Sequence, residues 1–334
     1  MEPSDDKQAI SEIYSKLKKE AGIEIDQETF RKLTVQGFNS KVYTARTDKE
    51  IIIHILNPVK EQIRQAISKK LVGVSKLIQE VPGIPVARFF YEGTLEDGRF
   101  IFVQEKLPGK NWGRRKIENG KIVDEFFTSG NEEYFTQLNK ILATLHTIKF
   151  SRYGYLKQEG ENLDGDYKSW GDFLLTESDL WFENIWQNRE RGYELSEKAL
   201  LDVKNKLSFI CYRNKHLFES GAPSLIHGDM INPGNILIEE SRISGIIDFE
   251  WSLAGDAAWE FAYSGNPGMD NFFDVCDEMG VSYDRDLFRE KVKFYRIFWL
   301  IWGTNVHAEG YELKKLLFED LVESLNNYCN QDSI

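Results

Sequence analysis

Residues 225–251 read LIHGDMINPGNILIEESRISGIIDFEW, and few folds accommodate that order. Leu225-Ile226, Ile236-Leu237-Ile238 and residues 243–249 are short apolar runs, each too brief for a helix and each bounded by turn formers. Asp229 falls where the first run gives way to a loop, Asn235 opens the second and Asp248 closes the third. Carboxylates and amides at strand ends can converge on one point. Hard oxygen donors of this kind suit Mg²⁺, which takes one or two carboxylates and leaves its other positions to water and substrate phosphates.

The rest of the chain divides in two around this stretch. Ile10, Ile13, Tyr14 and Leu17 recur at helical spacing before Gly22. Strand-like runs follow at residues 32–36, 41–46 and 50–56, joined by hairpin-like connections. A helix is expected over 59–79, with Ile63, Ile67, Leu71, Val74 and Ile78 on one stripe. Pro82-Gly83 and Pro85 end it, and strands at 86–92 and 99–106 flank the Glu96-Asp97-Gly98 turn. Leu107-Pro108-Gly109 is a natural hinge. Beyond it helices are expected over 132–148, 170–186, 197–219, 285–306 and 313–328, with 225–251 as the only clear β interruption. The order implies an N-terminal β-rich domain, 1–106, a helical domain, 107–334, and a ligand cleft between them.

Composition narrows the function. With 334 residues, 41% of them hydrophobic, the chain can build two cores. A net charge of −12 argues against nucleic acid as a partner and is compatible with a cationic small molecule. The three cysteines, Cys211, Cys276 and Cys329, are far apart and suggest neither zinc nor disulfides. The N-terminus MEPSDDKQ has no apolar core of a secretory signal, and the apolar run Ile297–Trp302 is far short of the roughly 20 residues a membrane span takes. A cytoplasmic protein is the default expectation.

His227-Gly228-Asp229 through Asn235, followed by Ile247-Asp248-Phe249-Glu250, resembles the aminoglycoside phosphotransferase and choline kinase-like family. The run Gly255-Asp256-Ala257-Ala258-Trp259-Glu260-Phe261-Ala262 resembles that family's helix start. The likeness covers most of the chain. It implies an α+β, protein-kinase-like two-lobed fold: a small antiparallel sheet with one inserted helix, then a larger, mostly helical lobe. It implies ATP, with GTP left open, and Mg²⁺ as cofactors, and a hydroxyl-bearing small molecule as acceptor. By the same resemblance Asp229 takes the acceptor's proton, Asn235 and Asp248 hold Mg²⁺, and His227 and Asp256 are structural. Gly37, Asn39 and Ser40 would cover the phosphates. Ile52 and His54 would face the nucleotide, and Gln104, Glu105 and Leu107 would border the adenine.

Two departures stand out. Asn235 follows Asp229 by six residues where the kinase loop has five, so Asn232 competes as the metal ligand. His54 occupies the strand position where the family carries Lys or Arg; nearby phosphates would favour its charged form, local hydrogen bonds would leave it neutral, and Lys41 is a further source of charge. No glutamate partner for His54 is evident on the next helix, where Lys69 and Lys70 fall instead. On the acceptor side, Glu250, Asp172 and Trp181 are candidates for a polycationic antibiotic held by charge and by cation–π contact, against the alternative of an amphipathic helix with a solvated acidic face. Acceptors of the same chemistry are a macrolide or a metabolic alcohol such as choline. The rival from another class is a pseudokinase-type binding protein without turnover.

Overall fold

The computed structural model describes residues 3–33, 40–56, 61–119, 121–129, 131–160, 162–263, 268–307 and 311–331. They form two compact units. The first comprises residues 1–110, 157–163 and 236–250, and the second residues 111–156, 164–235 and 251–334. The first unit thus runs four residues past the expected break at 106 and takes in two later excursions, one of which carries Asp248.

In the first unit, helix α1 (Pro3–Lys16) precedes strands β1 (Asp26–Lys32), β2 (Ser40–Arg46) and β3 (Glu50–Leu56). Helix α2 (Glu61–Gln79), β4 (Phe89–Thr94) and β5 (Phe100–Glu105) follow. The five strands form one antiparallel sheet in the order β1-β2-β3-β5-β4. The first strand lies earlier than the expected 32–36, of which residues 34–36 fall outside the described ones. Alternation sorts β2 and β3 cleanly. Tyr43, Ala45, Ile51, Ile53 and Ile55 join Ile13 and Leu17 in a buried core. Val42, Ile52 and His54 face the other way, opposite His54, Thr44 and Phe102 in the ladder. The excursion 236–250 adds the hairpin Ile236–Glu239/Arg242–Ile246. It is tied to the unit where Ile246 N donates to Pro85 O at 2.8 Å and Ser244 Oγ to Pro108 O at 2.7 Å.

The second unit is built on helices α3 (Glu132–Leu145), α4 (Trp170–Gln187), α5 (Glu197–Arg213), α6 (Met269–Glu278), α7 (Arg285–Val306) and α8 (Glu312–Gln331). Trp170 and Phe173 of α4, Trp259 of the 3₁₀ turn Ala257–Phe261 and Tyr295 of α7 interlock as its aromatic centre, Trp170 being fully buried. Three of these helices open on side-chain caps. Ser169, Ser196 and Asp284 accept from the backbone N–H three residues on, at 3.0, 3.2 and 3.0 Å. The expected helix 197–219 breaks at Asn214 into α5 and a 3₁₀ turn, Lys215–Phe218. The expectation that 225–251 is the only β interruption here is corrected by a full hairpin, Gly113–Glu118 against Lys121–Phe126. Its polar strands, RRKIE and KIVDE, carry alternating charge rather than the apolar run that marks a buried strand. No helix among the described residues is long and apolar enough to cross a membrane.

Candidate active site

In the second unit the strand Ser224–Ile226 pairs antiparallel with Leu253–Gly255, which pairs in turn with Gly154–Tyr155. This small sheet launches the loop at His227. The turn requires Gly228: its φ is +85°, and a Cβ there would come within 2.7 Å of Trp251 O.

Beneath the loop lies Glu260, buried on the turn Ala257–Phe261. Its Oε2 accepts from His227 N at 2.8 Å and Gly228 N at 3.3 Å, and its Oε1 from Met230 N at 3.3 Å. One carboxylate therefore satisfies three backbone donors that would otherwise be buried unpaired. Burial pushes its pKa up to about 7, against the opposing pull of those three N–H groups and with a smaller push from Asp229. Asp256 begins the same turn. Its Oδ1 accepts from Ala258 N at 3.0 Å, and its Oδ2 takes a buried ion pair from Lys291 at 2.8 Å and a hydrogen bond from Tyr295 Oη at 3.1 Å.

Above this base the Asp229 carboxylate is fixed on three sides. Arg115 Nη1 donates to Oδ1 at 3.1 Å, while Asn232 Nδ2 and Asn235 Nδ2 donate to Oδ2 at 3.0 and 2.9 Å. Asn235 Nδ2 also reaches Asp229 O at 3.0 Å. The buried His227 receives Asp229 N at Nδ1, 3.3 Å. The carboxylate stays one-quarter exposed, so a substrate can reach it. Arg115, from the unexpected hairpin, is itself held by Asp124 at 2.9 and 3.3 Å and stacks 3.7 Å above the Tyr263 ring. Arg115 and Glu260 are the functional residues that sequence reasoning missed as such. Arg115 left no signal, because its partner lies more than a hundred residues away. Glu260 sat in the recognised helix start, but its target is backbone, which no motif displays.

The two asparagines are now distinguishable. Asn232 uses both ends within the loop, because its Oδ1 accepts from Gly234 N at 3.0 Å. Asn235 spends its amide nitrogen on Asp229, and its Oδ1 has no hydrogen-bond partner among the described residues. A carbonyl oxygen not spent on a hydrogen bond is what a hard cation needs.

In the first unit Asp248 follows the strand Arg242–Ile246. It is exposed and holds φ at +70°, a left-handed conformation that costs a non-glycine residue on the order of 1 kcal/mol. Lys70 of α2 is buried, and its Nζ donates to Glu250 O. Burial lowers its pKa to about 8 against the opposing charges of Glu250 and Asp248. Among the described residues there is no cluster of three or more His, Cys, Asp or Glu suited to a metal. Asn235 in the second unit and Asp248 in the first each offer an oxygen donor of the kind a hard cation takes.

On the sheet, His54 stacks on Phe102 with ring centroids 4.1 Å apart and an interplanar angle of 6°. Its Nε2 is 3.2 Å from Gln104 Nε2. Burial of the ring pushes its pKa down to about 3, so it is neutral in the ligand-free protein at pH 7. Ile52 lies on the same face, directly opposite Gln104. Glu105 N donates to Arg88 O at 2.8 Å, and Leu107 packs where a Cβ on Gly245 would intrude. Ser40 opens β2 and is buried, whereas Gly37 and Asn39 lie outside the described residues.

On the acceptor side, Asp172 is exposed in the first turn of α4 and Trp181 is buried two turns on. Trp181, Trp251, Trp259, Trp299 and Trp302, with Tyr155 and Phe173, line a narrow apolar recess, which Gly228 touches.

The family model of the phosphotransferase enzyme family matches residues 69–292, more than half of the chain. The chain belongs to that family. It is an enzyme that transfers a phosphoryl group to a hydroxyl. No curated protein matches it in sequence. Solved structures do. One is the streptomycin–ATP complex of APH(2")-IIa, at 16% identity and TM-score 0.61 over 94% of this chain and 96% of that one. Another is the GDP and kanamycin complex of APH(2")-IIia, at 14% and 0.60 over 97% and 99%. A third is the macrolide 2'-phosphotransferase MphH from Brachybacterium faecium, at 15% and 0.56 over 96% and 98%. At such identities the likeness shows the fold, that of the protein-kinase-like phosphotransferases.

Proposed function

We propose that this phosphotransferase uses ATP and Mg²⁺ to phosphorylate a hydroxyl of an aminoglycoside or related antibiotic, in the cytoplasm. The observation that carries the transfer reaction is the Asp229 carboxylate, accessible yet held by Arg115, Asn232 and Asn235 on a loop clamped by Glu260. In this reading one Asp229 oxygen accepts the proton of the acceptor hydroxyl as its oxygen attacks the γ-phosphorus and the bond to the ADP oxygen breaks in line. The Arg115 guanidinium keeps the carboxylate aimed. Asn235 Oδ1 and Asp248 would hold Mg²⁺, which supplies charge neutralisation at the phosphates. Ser40, with Gly37 and Asn39, would cover the phosphates. Ile52 and His54 would line the base, and Gln104, Glu105 and Leu107 would offer it backbone groups. GTP remains the alternative donor; a structural neighbour was solved with GDP.

For the acceptor, Asp172, Glu250 and Trp181 are the proposed contacts for a polycation. A macrolide is the second reading, because a solved structure of the same fold is a macrolide 2'-phosphotransferase. The test is ADP release with aminoglycosides, macrolides and amino alcohols in parallel. Acceptor-dependent release with aminoglycosides supports the first reading, and release with macrolides alone supports the second. No acceptor-dependent release anywhere in the panel removes both.

A further inference from the structure

The strand position that would meet nucleotide phosphates carries a residue without charge. His54 is stacked flat on Phe102, its Nε2 is taken up by Gln104, and its ring is largely out of water. Lys41 does not replace it. Lys41 stands opposite Ile55 in the ladder, on the face of the buried core cluster, whereas Val42 stands opposite His54. A polyphosphate brings three or four negative charges, and a protein that binds one by phosphate ordinarily presents a cation to them.

Within the same unit such a cation exists elsewhere. Lys70 lies on α2 with its Nζ inward, against Glu250 O and within electrostatic reach of both the Asp248 and Glu250 carboxylates. Burying an ammonium is costly unless it is matched by acceptors. One backbone carbonyl is a thin match for a group with three N–H donors. Asp248 beside it holds its strained left-handed turn, as residues at ligand-binding turns often do.

We propose that Lys70 is the phosphate-binding cation of this enzyme, supplied from helix α2 in place of the strand position occupied by His54. This rests on the nucleotide-dependent reading above and adds to it which residue meets the phosphates. Lys70 Nζ keeps its bond to Glu250 O and turns its remaining donors to an α- or β-phosphate oxygen beside Asp248. His54, on β3, contributes a neutral ring face to the base.

The test compares MgADP with adenosine, which has the base and ribose but no phosphate, by calorimetric titration of the full-length protein. Lys70→Met should weaken MgADP binding by about 10–150-fold, the range for one lost charged hydrogen bond, and leave adenosine affinity within about twofold. Lys70→Arg, which keeps the charge, should recover part of the loss and guards against a Met variant that fails to fold. Equal MgADP affinity in wild type and Lys70→Met overturns the proposal. So does a parallel loss of adenosine affinity, or a fall in kcat with MgADP affinity intact, since either makes Lys70 a positioning residue of the Asp248 turn. A wild-type protein that binds no MgADP defeats instead the nucleotide-dependent reading itself.

Discussion

The loop around Asp229 and the sheet around His54 belong to the same enzyme but solve their chemistry in opposite ways. In the loop, a run of nine residues supplies the base, its two amide donors and the buried histidine, and each is tied to a neighbour a few positions away. In the sheet unit the groups come from distant places: His54 on β3, Lys70 on α2, and Asp248 on a hairpin entered almost two hundred residues later. A compact loop is robust because its partners arrive together. A dispersed site can exchange one contributor for another, and the proposed use of Lys70 in place of a strand cation at His54 would be such an exchange.

The largest effect should come from the loop. Asp229→Asn is expected to lower kcat by about 10²–10⁴, the scale of a lost general base, with nucleotide affinity unchanged; steady-state rates and titration on the same preparation measure both. An unaltered kcat would remove the base from the account. Glu260→Ala should follow, because it orphans the N–H groups of His227, Gly228 and Met230. We expect a loss of about 3 kcal/mol in denaturant unfolding, and a variant as stable as wild type would show that the loop holds itself.

How much of this could be read from the chain follows the same division. The grouping of His227, Asp229 and Asn235 was legible because their spacing beside short apolar runs is a local pattern. The sheet was legible from its alternation, down to Ile52 and His54 sharing a face. The 113–126 hairpin was not, because its strands are polar and only Gly113 and Trp112 hint at a packed base. Arg115 went unseen with it. The choice between Asn232 and Asn235 needed hydrogen-bond partners, which residue order does not contain. The break of the 197–219 helix at Asn214 was also unseen, since the apolar stripe of α5 continues into the 3₁₀ turn through Leu217.

Arg115→Ala sharpens the comparison at a smaller scale. It removes the guanidinium from Asp229 Oδ1 and from the Tyr263 face while sparing the asparagines. Loss of such an orienting partner typically costs 10–100-fold, and kcat/KM for the acceptor is the quantity to follow. A drop below about twofold would leave Asp229 positioned by the amides alone.

The smallest effects separate the two regions by pH. Glu260 has a folded pKa raised to about 7 from 4.5. Its contribution to stability is full below pH 4.5 and is lost as pH rises through about 7. His54 has a folded pKa lowered to about 3 from 6.5. Its contribution is full above pH 6.5 and is lost as pH falls toward 3. Thermal melts should therefore show Glu260→Gln differing from wild type in its slope between pH 4.5 and 7, and His54→Gln in its slope below 6.5, each by a few degrees in Tm. Parallel Tm–pH curves for all three proteins would contradict the burial assigned to these groups.

The account stands on Asp229 acting as the base of a phosphoryl transfer, and γ-labelled ATP tests that most directly. With the acceptor identified from the panel, wild-type enzyme should move the label onto that acceptor, and Asp229→Asn should do so at least about a hundred times more slowly while binding MgADP equally well. Label transferred at equal rates by both proteins, or released only as inorganic phosphate whether or not acceptor is present, would contradict it.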